Sequence, residues 1–406
     1  MKRFQKTGLF FLSFLLLSLC FGCSQNSKNE NEEEKTFTKY FDVMTDSQGN
    51  MVLPLNTSLQ LTMTDEQALQ QAAEIIEQKL PRWHQLADSH HAYLDENGEP
   101  LHNLYYINQH PGQTLEVDPW LLQLLQQAID YSQTSDGLFH PLMGALSELW
   151  EPKFAPFPTE NVDPPHQQLN ELTGCLPSVS RLEEVLQLDP QAMTVRFEPQ
   201  DCEGKLAISL GAMAKGAVLD QLAELIRPLN TPFLLNAGDS SIIAWSPSDS
   251  PRIWNIGVRH PDQSDSLLFA FSLVNGAVST SADDQQYFLL NENGQQVRRH
   301  HILNPATGIS ENWIRSVTLT GSDQAGTLDV LSTVLYNIEE PSQRRAMIRR
   351  FEQTYGLTIQ YGWCEDGEDG YLLTLSEGMQ RQRLSAAALP DHVELQVIQG
   401  DEENEE

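Results

Sequence analysis

Positive charge is what this chain of 406 residues has least of: 25 Lys and Arg stand against 56 Asp and Glu, a formal net charge of −31 at pH 7. General nucleic-acid binders gain affinity by neutralising phosphates with Lys and Arg, so that class is excluded. Any phosphate held here must be met by a local device: a metal, a helix N-terminus or a few placed cations. Cysteine is scarce too. Cys20 and Cys23 spell C-x-x-C, but both fall in an N-terminal targeting segment, which removes the redox and zinc readings. Cys175, Cys202 and Cys364 cannot all pair, and their spacing is no metal framework. They read as core or incidental thiols and imply no disulfide scaffold. The familiar catalytic signatures are also missing. No G-x-G-x-x-G follows a strand, and there is no H-E-x-x-H and no G-x-S-x-G. Gly211 and Gly216 have Walker-like spacing, but Ala217-Val218 follow in place of Lys and Ser/Thr.

What is present begins at the N-terminus. Lys2, Arg3 and Lys6 precede an apolar run from Leu9 to Phe21, then Gly22-Cys23 and a polar stretch. A basic flank, a short apolar segment and a small residue before the cut define a secretory signal. Gly22-Cys23 resembles the lipobox of bacterial lipoproteins, with Cys20 standing where that motif usually has Leu. The resemblance implies a signal peptide over 1–22, lipidation of Cys23, and a lipid anchor on the extracytoplasmic face of a bacterial membrane. The alternative is an uncleaved signal anchor, for which the run is short, since a spanning helix needs about 20 apolar residues. Residues 23–38 then read as an acidic tether and 396–406 as an acidic tail, with the folded region at 39–395.

The whole chain is 40% hydrophobic, a globular value. Thr64-Asp65-Glu66-Gln67 is a capping box before a helical run that Pro81 follows. Asp118-Pro119 opens a second helix, whose buried face carries Leu121, Leu124, Leu125, Ala128 and Ile129. Further helices are expected over Met213–Ile226 and Gly326–Ile338. MTVRFEP, KLAISL, TPFLLNA, SIIAW and RIWNIGV are strand candidates. Strands and helices without strict alternation predict an α+β fold, as one large domain or two closely packed subdomains.

Four polar clusters fall at the junctions. In SLGAMAKG, Ser209 to Gly216, Lys215 lies in the opening turn of a helix, where free N–H groups and a cation make an anion site; a plain Gly-Ala turn with a solvated Lys fits equally. LLNAGDSS, Leu234 to Ser241, offers close backbone approach or an ordinary turn. In RRHHILNPATG, Arg298 to Gly308, the adjacent histidines point to opposite faces of a strand, so at most one readily enters a site. In LDVLSTVL, Asp329 and Thr333 are four apart on one helix face and could grip one cation through oxygen.

The order and content of these clusters resemble the ApbE family of FAD:protein FMN transferases. TSDGLFHPLMGALSELW, WNIGVRHP, AVSTSADDQQYF, HHILNPATG and NLYYINQHPG each look like a segment of that family's pattern, and together they span Phe41 to Ile338. The resemblance implies an ApbE-like (T-fold-like) mixed sheet with helices. It implies Mg2+-dependent transfer of FMN from FAD to a Thr or Ser of an acceptor protein, with release of AMP. Asp329, Thr333 and the Ala212 carbonyl would be metal ligands, and Lys215 would contact the flavin nucleotide. His301 would be the catalytic base, with His300 as the fallback. Ser209, Asn236, His300 and Ile302 fall in the cofactor-binding segments. Met44 and Tyr93 are the candidates for the early Met and a ring-stacking Tyr. An Mg2+-dependent FAD pyrophosphatase, or an FAD-binding lipoprotein without catalysis, is the alternative. The chain departs from the family pattern at Ser209 (Asp there), Asp239 (Gly), Ala282 (Gly), Asp284 (Tyr), Gln286 (Arg) and Asn304 (Asp).

Overall fold

In the computed structural model the described residues are 35–42, 44–45, 51–52, 55, 57–154, 161–263, 265–292, 294–385 and 388–399. The expected signal peptide, Cys23, most of the tether and the final residues of the tail lie outside them. The chain divides into Met1–Lys35 and Thr36–Glu406, and the second unit carries the fold.

Alternating apolar residues build one nine-stranded sheet. Its order from edge to edge is Phe37–Phe41, Leu59–Met63, Phe233–Ala237, Ser241–Trp245, Gly276–Ala282, Ser316–Gly321, Ile359–Gly367, Gly370–Ser376 and Val393–Ile398. Every neighbouring pair is antiparallel except the last, which is parallel. The period of two sorts side chains to the two faces. Ile243, Ala277, Val317, Leu319 and Trp363 enter the core shared with helices Glu66–Ala87, Ala214–Ile226 and Ala325–Tyr336. Their neighbours Ala244, Val278 and Cys364 face the other way, against the hairpin of Trp254–Arg259 and Leu267–Leu273. The expected α+β fold is therefore present, as three layers on one mixed sheet.

Local expectations met mixed outcomes. Asp118 caps the Pro119–Thr134 helix, accepting from Trp120 N at 3.0 Å. Asp65, not Thr64, caps the Glu66–Ala87 helix, accepting from Ala68 N at 2.7 Å. Pro81 sits inside that helix instead of ending it. The lost backbone bond is outweighed by burial of Ile76, Leu80 and Leu86 on either side of it. KLAISL is no strand; Ala207 makes only an isolated bridge with Met143. Its backbone is held instead by Asn108, which accepts from Ile208 N at 2.7 Å and donates to Ile208 O at 3.0 Å. The Val393–Ile398 strand carries the fold into the expected tail, and Phe37–Phe41 begins it within the expected tether.

The thiol reading is corrected. Cys175 and Cys202 form a disulfide across 27 residues, and among the described residues Cys364 is the one free cysteine, buried in the second core. Spacing could not show this, because the Gln200–Cys202 turn meets the end of the His166–Thr173 helix only in three dimensions. Among the described residues no helix is long and apolar enough to cross a membrane.

Candidate functional site

Two crossing helices set the site. The Ala214–Ile226 and Ala325–Tyr336 helices pack so closely that a Cβ on Gly216 would lie 2.4 Å from the Ala325 carbonyl carbon. Only glycine fits there, and its N–H is aimed across the gap at Asp329 Oδ2, 2.8 Å away. Asp220, one turn further on, accepts from Ala325 N and Gly326 N at 2.7 and 3.0 Å. It thereby satisfies the free N–H groups that open the second helix. Asp329 is buried, and Ser241 Oγ donates to its carboxylate at 2.8 Å. Burial raises its pKa to about 6 against the opposing pull of Lys215 and of its hydrogen bonds. Thr333 Oγ1 bonds back to the Asp329 carbonyl at 3.1 Å, which fixes its hydroxyl one turn along the same face. Ser332, Ser279 and Ser281 continue the polar floor, with Oγ–Oγ distances of 3.1 and 2.8 Å to Ser332.

Lys215 leaves the first turn of its helix and donates to Ser240 Oγ at 2.6 Å. Its charge acts on both Asp329 and His301. The histidine pair separates as alternation requires. His300 ends the Gln295–His300 strand and is fully buried. Its Nε2 donates to the Glu311 carbonyl at 2.7 Å, its Nδ1 accepts from Ile302 N at 3.3 Å, and its ring meets Tyr336 edge-on. Burial pushes its pKa down to about 3, so it is neutral and structural. His301, one residue past the strand, is exposed to solvent. Desolvation and then the Lys215 charge hold its pKa below the usual histidine value, while a hydrogen bond to the Gln286 backbone opposes them. A neutral imidazole with one nitrogen engaged by a carbonyl has its other nitrogen open to take a proton.

A sequence model of the ApbE family matches residues 55–357. The chain belongs to the ApbE family. Curated relatives named FAD:protein FMN transferase include one from Rhodobacter capsulatus, 30% identical over 226 residues, covering 55% of this chain and 39% of that protein. Another, from Treponema pallidum, is 28% identical over 206 residues, covering 47% of this chain and 52% of its own. The chain thus spans about half the length of these two curated relatives or less. Among solved structures, the ApbE protein of Thermotoga maritima is 25% identical with a TM-score of 0.64, covering 86% of this chain and 100% of its own. The flavin transferase ApbE of Vibrio cholerae, 19% identical, shares the fold with a TM-score of 0.62 over 86% of this chain and 99% of its own.

Within this ApbE-family chain the structure brings Lys215, Asp329, Thr333 and His301 into one region, with Ala212 in the turn that precedes the Lys215 helix. Other candidates are placed differently. Asn236 spends its side chain on the turn beside it, donating to Asp239 Oδ1 at 2.8 Å and accepting from Asp239 N at 3.0 Å. Ile302 is buried, its N–H held by His300. Ser209 is half-buried, tied through N–H to the Pro141 carbonyl at 2.9 Å. Met44 lies on a two-residue strand paired with Val52. Tyr93 is buried, its hydroxyl donating to Asp88 at 2.7 Å, and its ring stands in the core beside His84. The structure does not bring Tyr93 to the Lys215–Asp329 cluster. The reading from sequence missed Ser240, Ser241 and Ser279, the hydroxyls that hold Lys215 and Asp329. Their only signal was an abundance of small hydroxyl residues in LLNAGDSS and AVSTSADD.

Proposed function

We propose that this chain transfers the FMN moiety of FAD to a threonine or serine hydroxyl of an acceptor protein. The convergence of Lys215, Asp329 and His301 carries the reading, and the names of the curated relatives support it. The acceptor oxygen attacks the FMN phosphorus, the bond to the AMP phosphate oxygen breaks, and His301 takes the hydroxyl proton. Lys215 offsets charge on the phosphates, held in position by Ser240. Gln286 orients the His301 ring.

Mg2+ fits the donor set. Asp329 and Thr333 offer oxygen alone, the ligand type this hard cation takes. The Asp329 carboxylate is buried with neutral donors and one Lys for compensation. Among the described residues no three His, Cys, Asp or Glu side chains gather as a cage. That suits an ion held by one or two carboxylates plus substrate phosphates and water. Asp329, Thr333 and the Ala212 carbonyl would hold it, and the ion would neutralise pyrophosphate charge.

Anchoring at Cys23 on the extracytoplasmic side belongs to the same proposal. The Cys175–Cys202 disulfide supports it, because such bonds persist in oxidising compartments. The test of the reaction is incubation with FAD, MgCl2 and a candidate acceptor, followed by intact mass of the acceptor. A gain of one FMN is expected. FAD cleavage without acceptor labelling indicates a pyrophosphatase, and FAD binding without cleavage a carrier.

A further inference from the structure

Two irregular pieces of backbone meet next to the Lys215–Ser240 contact. The turn between the Phe233–Ala237 and Ser241–Trp245 strands holds Gly238 and Asp239 at φ of 61° and 57°. That left-handed region is costly for most side chains and tolerated by Asp. Across from it, the ladder between the two strands of the Trp254–Arg259 hairpin shifts register at Val258/Arg259. A bulge of this kind re-aims a side chain. The two irregularities join: Arg259 Nη2 donates to Asp239 Oδ2 at 3.3 Å, and Nη1 stands 3.9 Å from Asp284. Both carboxylates occupy positions where the family pattern has other residues.

Contacts and chain neighbours link Arg259 to the residues of the site. Lys215 bonds Ser240, the neighbour of Asp239. Asp239 pairs with Arg259, which lies near Asp284. Two residues on, the Gln286 backbone holds His301, which feels Lys215. The Arg259 side chain is 36% exposed and its Asp239 partner 65%, so the pair is loosely held and water-screened. Two long contacts leave most of the five guanidinium donors open.

We propose that Arg259 is a second phosphate-binding residue of this site, contacting the same Gly238–Ser240 turn as Lys215, and that Asp239 is its displaceable counter-ion. The inference rests on the proposed flavin transfer and adds to it. In a chain of charge −31, a dinucleotide phosphate meets two placed cations here. Asp239 competes with that phosphate for Arg259 and so sets affinity for FAD.

The experiment measures FAD binding by quenching of flavin fluorescence, in MgCl2, on the mature protein and its variants, alongside transfer kinetics. Arg259→Gln should weaken FAD binding about tenfold, the size of one lost charge-assisted contact, with the loss falling on KM for FAD rather than on kcat. Arg259→Lys should recover part of it. Asp239→Asn keeps the turn and its Asn236 contact but removes the charge, and should tighten FAD binding by several-fold. Unchanged FAD binding in Arg259→Gln, with wild type binding normally, overturns this inference alone. So does a rise in KM for the acceptor instead of FAD. A wild type that binds no FAD removes the flavin reading along with it.

Discussion

Replace His300 by alanine and three contacts go at once. The Glu311 carbonyl and the Ile302 N–H lose their partner, and Tyr336 loses the ring against its face. Each orphaned buried backbone group costs about 1–3 kcal/mol. With the cavity left by the ring, the total comes to about 3–5 kcal/mol, a large fraction of the ~5–15 kcal/mol typical of a domain. The assay is urea unfolding at pH 7, read as a fall in midpoint with slope m unchanged. The cost should itself depend on pH. His300 has a folded pKa of about 3, below its unfolded 6.5. Its contribution is therefore present above pH 6.5 and lost as pH falls toward 3, by about 1.4 kcal/mol per unit. The gap between wild type and His300→Ala should accordingly narrow between pH 7 and pH 5. His301→Ala is the control. It should cost under about 1 kcal/mol in stability but lower FMN transfer by about 10²- to 10⁴-fold. The reasoning is refuted if the two variants exchange roles, or if His300→Ala unfolds at the wild-type midpoint with a gap that ignores pH.

Three further outcomes follow from other contacts. EDTA should abolish transfer and MgCl2 restore it. Asp329→Ala should lower turnover by about 100-fold or more and also reduce the unfolding midpoint, because Gly216 and Ser241 lose their acceptor; full activity in chelator would remove the metal reading. Reduction of Cys175–Cys202 reopens a loop of 27 residues and should cost about 3–4 kcal/mol by chain entropy, measured as denaturant midpoints with and without dithiothreitol. Cys23→Ala should shift the protein from the membrane to the soluble fraction, and wild type found soluble with an unmodified Cys23 would defeat the anchor.

Much of this was written locally. Asp118-Pro119 specified its helix start because a cap needs only neighbours, and the period-two runs around Leu235 and Ile243 specified strands for the same reason. The separation of His300 from His301 was also legible, since alternation follows from backbone geometry alone. Asp329 and Thr333 shared a face by helical spacing. Beyond these, a sequence specifies which groups are available, not which ones meet. The Cys175–Cys202 bridge, the Asn108 clasp on Ile208 and the Ser241 bond to Asp329 span 27, 100 and 88 residues. Nothing periodic links such partners. Tyr93 looked available for a ring because burial cannot be read from a residue's type, and the packed sheet put it in the core. Arg259 looked like one more charged residue on a strand. Only the bulge and the left-handed turn at Asp239 decided that it pairs with Asp239, next in the chain to the Ser240 that holds Lys215. Long-range packing, which buries apolar faces without regard to order along the chain, made that choice.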